Sequence, residues 1–200
     1  MKGSQDFLMS KPDFEAYKNK IQIRCATRSD LSKIMQLEQQ GFEQGIRESS
    51  LTYLKRISLF PDGAIISVFN NTVIGCVFSE IWDSLSDVKP EKFELNHDIS
   101  DSHKCFGNVL YISSMTIDPS FRGLGFGKIL FRKNIEFIMS KYSLLTDSAL
   151  LVNEQWDNAR RIYIDEGFRE LFVIKNFFMP SDGVFHNGIV MIKNFNIEKR

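Results

Sequence analysis

The chain has 200 residues, with 25 Lys and Arg against 25 Asp and Glu and a formal charge of zero. That length fits one domain, or one domain with a tail. The balance excludes the basic excess of a nucleic-acid-binding protein and the charged, apolar-poor make-up of a disordered one. Hydrophobic residues make up 43% of the chain and 18 residues are Phe, enough to build a core. Cys25, Cys76 and Cys105 lie far apart without a CxxC spacing, which predicts reduced thiols in the cytoplasm and neither a disulfide framework nor a metal site. The first twenty residues lack an apolar signal core and read as an extension, 1–20, ahead of one domain over 21–200. Apolar runs are too short to span a membrane.

Residues 21–27 alternate like a half-buried strand. Ser29-Asp30 offers N-cap chemistry to a helix carrying Leu31, Ile34, Met35 and Leu37 and ending near Gly41. A second helix is expected over 49–59, stopped by Pro61-Asp62-Gly63 before the strand AIISVF. Asn70-Asn71 predicts a hairpin turn into TVIGCVFSEIW. Residues 82–108 are polar and without period, a length that is normally functional or mobile in a loop. A strand at 109–117, a helix at 126–141, a strand at 149–153, a short helix at 157–166 and strands near 168–178 and 184–195 complete the chain. The order predicts an α/β fold around a mixed sheet.

Between the strand at 109–117 and the helix at 126–141 lies Arg122-Gly123-Leu124-Gly125-Phe126-Gly127-Lys128. Glycines let backbone amides approach an anion, and a helix N-terminus adds partial positive charge. A turn that merely permits tight packing would look the same. The segment is not a P-loop, because Arg122 and Ile129 stand where Gly and Ser/Thr are needed. It is not a dinucleotide fingerprint, because position 128 is Lys.

In its wider context, M-T-I-D-P-S-F-R-G-L-G-F-G-K-I-L (115–130) resembles the acyl-CoA-binding motif of the GNAT superfamily of N-acetyltransferases. Downstream, A-R-R-I-Y-I-D-E-G-F (159–168) resembles that superfamily's second signature, and IRCATRSDLSKIMQLEQQGF resembles its opening strand and helix. The resemblance covers roughly 21–175. It implies a central twisted mixed sheet flanked by helices, with strands 109–117 and 149–153 splayed around the pantetheine arm of acetyl-CoA. Met115, Thr116 and Ile117 would line that arm, with Met115 and Ile117 pairing to it through backbone groups. Arg122, Gly123, Leu124, Gly125, Phe126, Gly127 and Lys128 would wrap the pyrophosphate, and Asn153 would add a polar contact where the family often has Asn and this chain has Trp156. Residues 122–141 carry a local charge of +4, which agrees with a phosphate-bearing donor.

By the same resemblance, a backbone N–H near Met115 would stabilise the oxyanion and Tyr163 would protonate the departing thiolate. The layout is similar to the arylalkylamine N-acetyltransferase branch, whose two histidines correspond to Tyr111 and Ser113, neither a base near neutral pH. Glu80 is the expected replacement, with Asp83 beside it at the substrate. His97 and His103 read as surface residues. The insert at 82–108 carries acidic residues with a net −3 that would attract a cationic amine. Met35, Phe42, Leu51 and Tyr53 are candidates for an apolar acceptor pocket. The expected function is acetyl transfer from acetyl-CoA to a small primary amine of aryl-alkylamine or polyamine type, without metal, nucleic acid or membrane. The resemblance also admits a homodimer. Rival readings are a protein N-terminal or lysine acetyltransferase and a catalytically weak acyl-CoA sensor.

Overall fold

The computed structural model describes residues 20–181 and 183–196, so the expected N-terminal extension falls, Lys20 apart, outside the described residues. Among the described residues seven strands form one sheet: β1 Gln22–Cys25, β2 Ala64–Phe69, β3 Thr72–Trp82, β4 Val109–Ile117, β5 Asp147–Asn153, β6 Arg169–Phe178 and β7 His186–Asn194. Their spatial order is β1-β2-β3-β4-β5-β7-β6. Every neighbouring pair is antiparallel except β4 and β5, which run parallel. Five α-helices accompany them: α1 Leu31–Gly41, α2 Ser50–Leu59, α3 Ile99–Ser102, α4 Phe126–Lys141 and α5 Asp157–Asp165. The mixed sheet flanked by helices is the architecture that the element order predicts.

Local chemistry accounts for the joints. Asn70 and Asn71 both take positive φ, at 48° and 61°, the conformation a two-residue hairpin between twisted strands requires. Ser49 caps α2 by accepting the Thr52 N–H at 3.2 Å. One core cluster joins Ile34 and Leu37 of α1 and Tyr53 and Ile57 of α2 to Ile66 and Phe78 of the sheet. Another packs Leu130, Phe131 and Ile138 of α4 and Tyr163 of α5 on Ile112, Leu150 and Val152. Leu51, an expected pocket residue, is 59% exposed; its place on the α2 period turns it to the solvent side. The first strand is shorter than the alternation over 21–27 predicts.

Residues 82–108 are not a structureless loop. They hold 3₁₀ turns at Leu85–Asp87 and Pro90–Lys92 and the one-turn α3. Three scattered apolar side chains, Val88, Phe93 and Ile99, are buried and pin the insert without any helical or strand period. Phe93 meets Trp82 and Tyr111 edge-on at 5.2 and 5.4 Å. Backbone bonds from Lys104 N–H to Ile81 O (2.7 Å) and Asn108 N–H to Asp83 O (3.0 Å) close its end.

The sheet is split at its one parallel seam. β4 and β5 pair only from Val109 opposite Asp147 to Ile112 opposite Leu150. Beyond that point Ser113–Ile117 and the end of β5 share no ladder. The register between β3 and β4 slips at the same place, with Phe78 opposite Ser114 but Ser79 opposite Ile112. Ser113 is therefore the extra residue of a β-bulge, which bends β4 away from β5.

Candidate active site

Two spaces adjoin the split. One is a long groove of about 690 Å³ lined by Gly41, Phe42, Met115, Thr116, Ile117, Arg122, Gly123, Gly125, Gly127 and Lys128 from one flank and Gln155–Asp165 residues from the other. The second space is a cavity of about 80 Å³ bordered by Glu38, Phe42, Glu48, Phe93, Glu94, Ser114, Met115, Trp156 and Tyr163 among others. Phe42, Met115, Trp156 and Ala159 line both, so groove and cavity meet at the split.

The groove offers backbone donors. Asp118 N–H bonds Ile74 O of β3 at 2.8 Å, so strand alternation turns the N–H groups of Met115 and Ile117 toward β5, where the ladder is missing. The glycine-rich turn follows, with Gly123 at φ 74° and Gly125 at φ 84°. Gly125 is the N-cap of α4, so the positive end of a 16-residue helix faces the groove. A side chain at Gly123 would meet nothing within 4 Å, so its outer face is free for a ligand. At Gly41 the last turn of α1 lies so close to β4 that a Cβ would collide with the Thr116 hydroxyl. A bare helix end is what brings α1 against the groove.

The +4 expected around α4 is largely neutralised. Lys128 Nζ sits 2.9 Å from Asp165, Arg132 2.7 Å from Glu166, Lys133 2.7 Å from Glu136 and Lys141 2.8 Å from Asp62. Asp165 and Glu166 end α5 beside α4, a proximity that counting charges along the chain misses. Arg122 is held by Ile117 O at 2.9 Å through its Nε. Arg161, also at the groove, has no carboxylate partner among the described residues. The side chains of Leu124 and Phe126 turn into the core instead of lining the groove. Asn153 is buried and its Oδ1 accepts the Gln155 N–H at 2.9 Å, so its side chain holds the β5–α5 turn.

Tyr163 borders the cavity, buried against Phe131 and Phe168. Burial pushes its phenol well above the usual value, so it keeps its proton. Its hydroxyl has no hydrogen-bond partner among the described residues. Phe42, the expected substrate contact, meets Trp156 at a tilt and lines both spaces.

Glu80 lies elsewhere. It borders neither space and is enclosed by His97 Nε2 at 2.9 Å, Ser102 Oγ at 3.0 Å and the Trp82 indole N–H. Its side chain points from β3 to the insert, a direction the strand period alone left open. Asp83 is exposed and also borders neither space. His97 and His103 are half-buried instead of lying free on the surface: His97 is the partner of Glu80, and His103 packs on Phe60 at 4.3 Å. Tyr111 is buried under Trp82, ring to ring at 4.1 Å.

Glu38, which the sequence presents as one more helix residue, is 2% exposed and borders the cavity. Its Oε2 accepts the Tyr53 hydroxyl at 2.6 Å and its Oε1 accepts the Glu48 N–H at 2.8 Å. Burial pushes its pKa up to about 7 despite those bonds. The only sequence signal was its place beside Leu37 on the inward face of α1.

A mixed sheet split at its parallel seam, with a glycine-rich helix start at the opening, defines the acetyltransferase architecture. Residues 31–169 match the Acetyltransferase (GNAT) family, and the chain belongs to it. It is 26% identical over 127 residues to the uncharacterized N-acetyltransferase YkwB of Bacillus subtilis, a match covering 60% of this chain and 56% of that relative. The chain thus spans little more than half the length of the curated relative it matches. In fold it is similar to Arabidopsis thaliana NAA60 in complex with acetyl-CoA (TM-score 0.67, 19% identity, 88% of this chain and 99% of that one). It is also similar to the ribosomal-protein-S18-alanine N-acetyltransferase of Escherichia coli (TM-score 0.63, 16% identity, 87% and 93%). No helix among the described residues is long and apolar enough to cross a membrane, and no group of three or more His, Cys, Asp or Glu there is placed to hold a metal.

Proposed function

We propose that this protein transfers the acetyl group of acetyl-CoA to the primary amine of a small acceptor. The observation that carries the reading is the split itself, which joins a long donor-sized groove to a small cavity at Met115. The groove fits an extended acyl-CoA: unpaired Met115 and Ile117 N–H groups for the arm, then the amides of the glycine turn and the α4 N-terminus for the pyrophosphate. Arg122 and Arg161 supply the charge at the groove that the paired lysines do not.

The Met115 N–H is placed to stabilise the oxyanion as it develops, a role typically worth about 10²–10³ in rate for one donor. Tyr163, buried and protonated, is the group to give a proton to the departing sulfur. On the acceptor side, Phe42, Ile46, Phe93 and Leu95 give apolar walls, while Glu94 and, once ionised, Glu38 give negative charge; the Glu48 carboxylate is matched by Arg56. That combination suits an aryl-alkylamine or a polyamine better than a peptide, whose backbone would need a wider channel.

Acetyl-CoA should raise the melting temperature, because a ligand bound only by the folded state stabilises it by about 2.7 kcal/mol at a hundredfold excess over Kd. A thiol-release screen over aryl-alkylamines, polyamines and peptides then reads the acceptor class. Absence of any thermal shift at saturating acetyl-CoA, or release only with peptides, would overturn the donor or the acceptor half of the reading.

A further inference from the structure

We infer that Glu38 is the base for the acceptor's ammonium group, receiving its proton through the hydroxyls of Ser114 and Tyr53. The inference rests on the acetyl-transfer reading and identifies the proton acceptor that reading needs, since an amine protonated near neutral pH cannot attack a thioester.

The hydrogen bonds have a direction. Tyr53 is fully buried and has one hydroxyl proton, committed to Glu38 Oε2 at 2.6 Å. The 3.1 Å contact between Tyr53 Oη and Ser114 Oγ must then be made by the serine proton. Ser114 borders the cavity, and its oxygen is left with lone pairs for a donor there. An ammonium is such a donor. Two bonds in one sense lead from the cavity to Glu38, and the acceptor's own N–H would make a third.

The surroundings of Glu38 favour the exchange. Tyr53 and Arg56 face it from α2, Glu48 from the α1–α2 connection, Cys76 from β3 and Ser114 from β4, with Glu94 of the insert across the cavity. Burial raises its proton affinity first, and the Glu48 carboxylate adds to it. The Tyr53 and Glu48 N–H bonds and the Arg56 charge lower it, leaving about 7. The last turn of α1 adds a negative helix end that disfavours the anion. Arg56 is itself committed to Glu48, both nitrogens of its fork on the two carboxylate oxygens.

The proton balance closes. R–NH₃⁺ gives a proton to Ser114, Ser114 gives its own to Tyr53, and Tyr53 gives its own to Glu38. The electron pair of the broken N–H bond stays on nitrogen, which attacks the thioester carbon. As the C–S bond breaks, sulfur leaves with its pair and takes a proton from Tyr163, which recovers one from the nitrogen. Glu38 releases its proton to water. The sum is an ammonium and acetyl-CoA giving an amide, CoA thiol and one proton.

The test compares two acceptors: an alkylamine protonated at pH 7 and trifluoroethylamine, largely neutral there. Glu38→Gln should lower kcat/KM for the first by about 10²–10³ and remove the acid limb of its pH profile. For the second the loss should stay below about tenfold. Tyr53→Phe, which cuts the relay while keeping the ring, should show the same selective loss. In the free protein, ¹³C carboxyl NMR should show a signal titrating near pH 7 that Glu38→Gln removes. Equal losses with both amines, an unchanged pH profile or no such signal would overturn the relay alone. A wild-type protein that acetylates neither amine overturns the acetyl-transfer reading and the relay with it.

Discussion

Phe42, the residue after α1, and Trp156, at the start of α5, meet with ring centroids 5.3 Å apart across the junction of groove and cavity. Trp156 continues onto Phe178 at 5.4 Å, so three aromatics from separate segments line the cavity as one chain of contacts. Each helix supplies only half of this partition. The distance between cofactor groove and acceptor cavity therefore depends on how α1 and α5 sit on opposite flanks of the split.

Trp156→Ala would remove that partition. The junction should widen, admitting bulkier amines while loosening small ones, with KM for the small acceptor rising about tenfold, the scale set by a lost apolar contact of 1–3 kcal/mol. Acetyl-CoA affinity by calorimetry should change less, because the glycine turn and the β4 donors are untouched. An unaltered acceptor profile would show that the two rings do not gate the cavity.

Tyr163→Phe keeps the packing on Phe131 and Phe168 and removes only the hydroxyl. Turnover should fall about 10²-fold or more with acetyl-CoA affinity nearly unchanged, as expected for a lost proton donor. Stability should be preserved, since the hydroxyl has no hydrogen-bond partner among the described residues. Turnover within a factor of two of wild type would remove Tyr163 as the acid.

Arg56 and Glu48 form a buried ion pair, the arginine 2% and the glutamate 8% exposed. Arg56→Met leaves the Glu48 carboxylate without its partner, a loss of about 3–5 kcal/mol. For a chain of this size that corresponds to a drop of roughly 6–20 °C in melting temperature. Calorimetry checks it, and a drop under about 2 °C, which corresponds to less than about 1 kcal/mol, would mean that the pair is solvated. The same variant should raise the proton affinity of Glu38 further, because a nearby positive charge is gone.

Glu80 and His97 titrate as a pair. Burial alone would raise Glu80 and lower His97, but their mutual hydrogen bond and attraction win, leaving Glu80 below its ordinary 4.5 and His97 above its ordinary 6.5. The histidine contribution is whole below 6.5 and fades as pH rises through its raised folded value. The glutamate contribution is whole above 4.5 and fades as pH falls through its lowered one. Wild type minus His97→Gln, measured by denaturant unfolding, should therefore peak between pH 4.5 and 6.5. A difference flat from pH 4 to 9, a range that reaches about half a unit below the ordinary glutamate value and about two and a half above the ordinary histidine value, would show that the pair is not charged.

Much of this protein is determined locally and was legible in the chain. Apolar period, Asn70-Asn71 and Pro61-Asp62-Gly63 define most elements and their joints, and the turn at 122–128 with Tyr163 marks the family, because turn chemistry and glycine conformation act over a few residues. What depended on tertiary structure was which groups meet. Asp165 and Glu166 neutralise a helix that looks basic in sequence, and three unpatterned apolar residues anchor an insert that looks loose. Glu80 turns to His97 while Glu38 turns to the cavity, although either carboxylate sits credibly on its own element. Burial and hydrogen bonding from distant segments decide where a carboxylate ends and how tightly it holds a proton. The zero net charge held as arithmetic; the charge at the site was decided by packing.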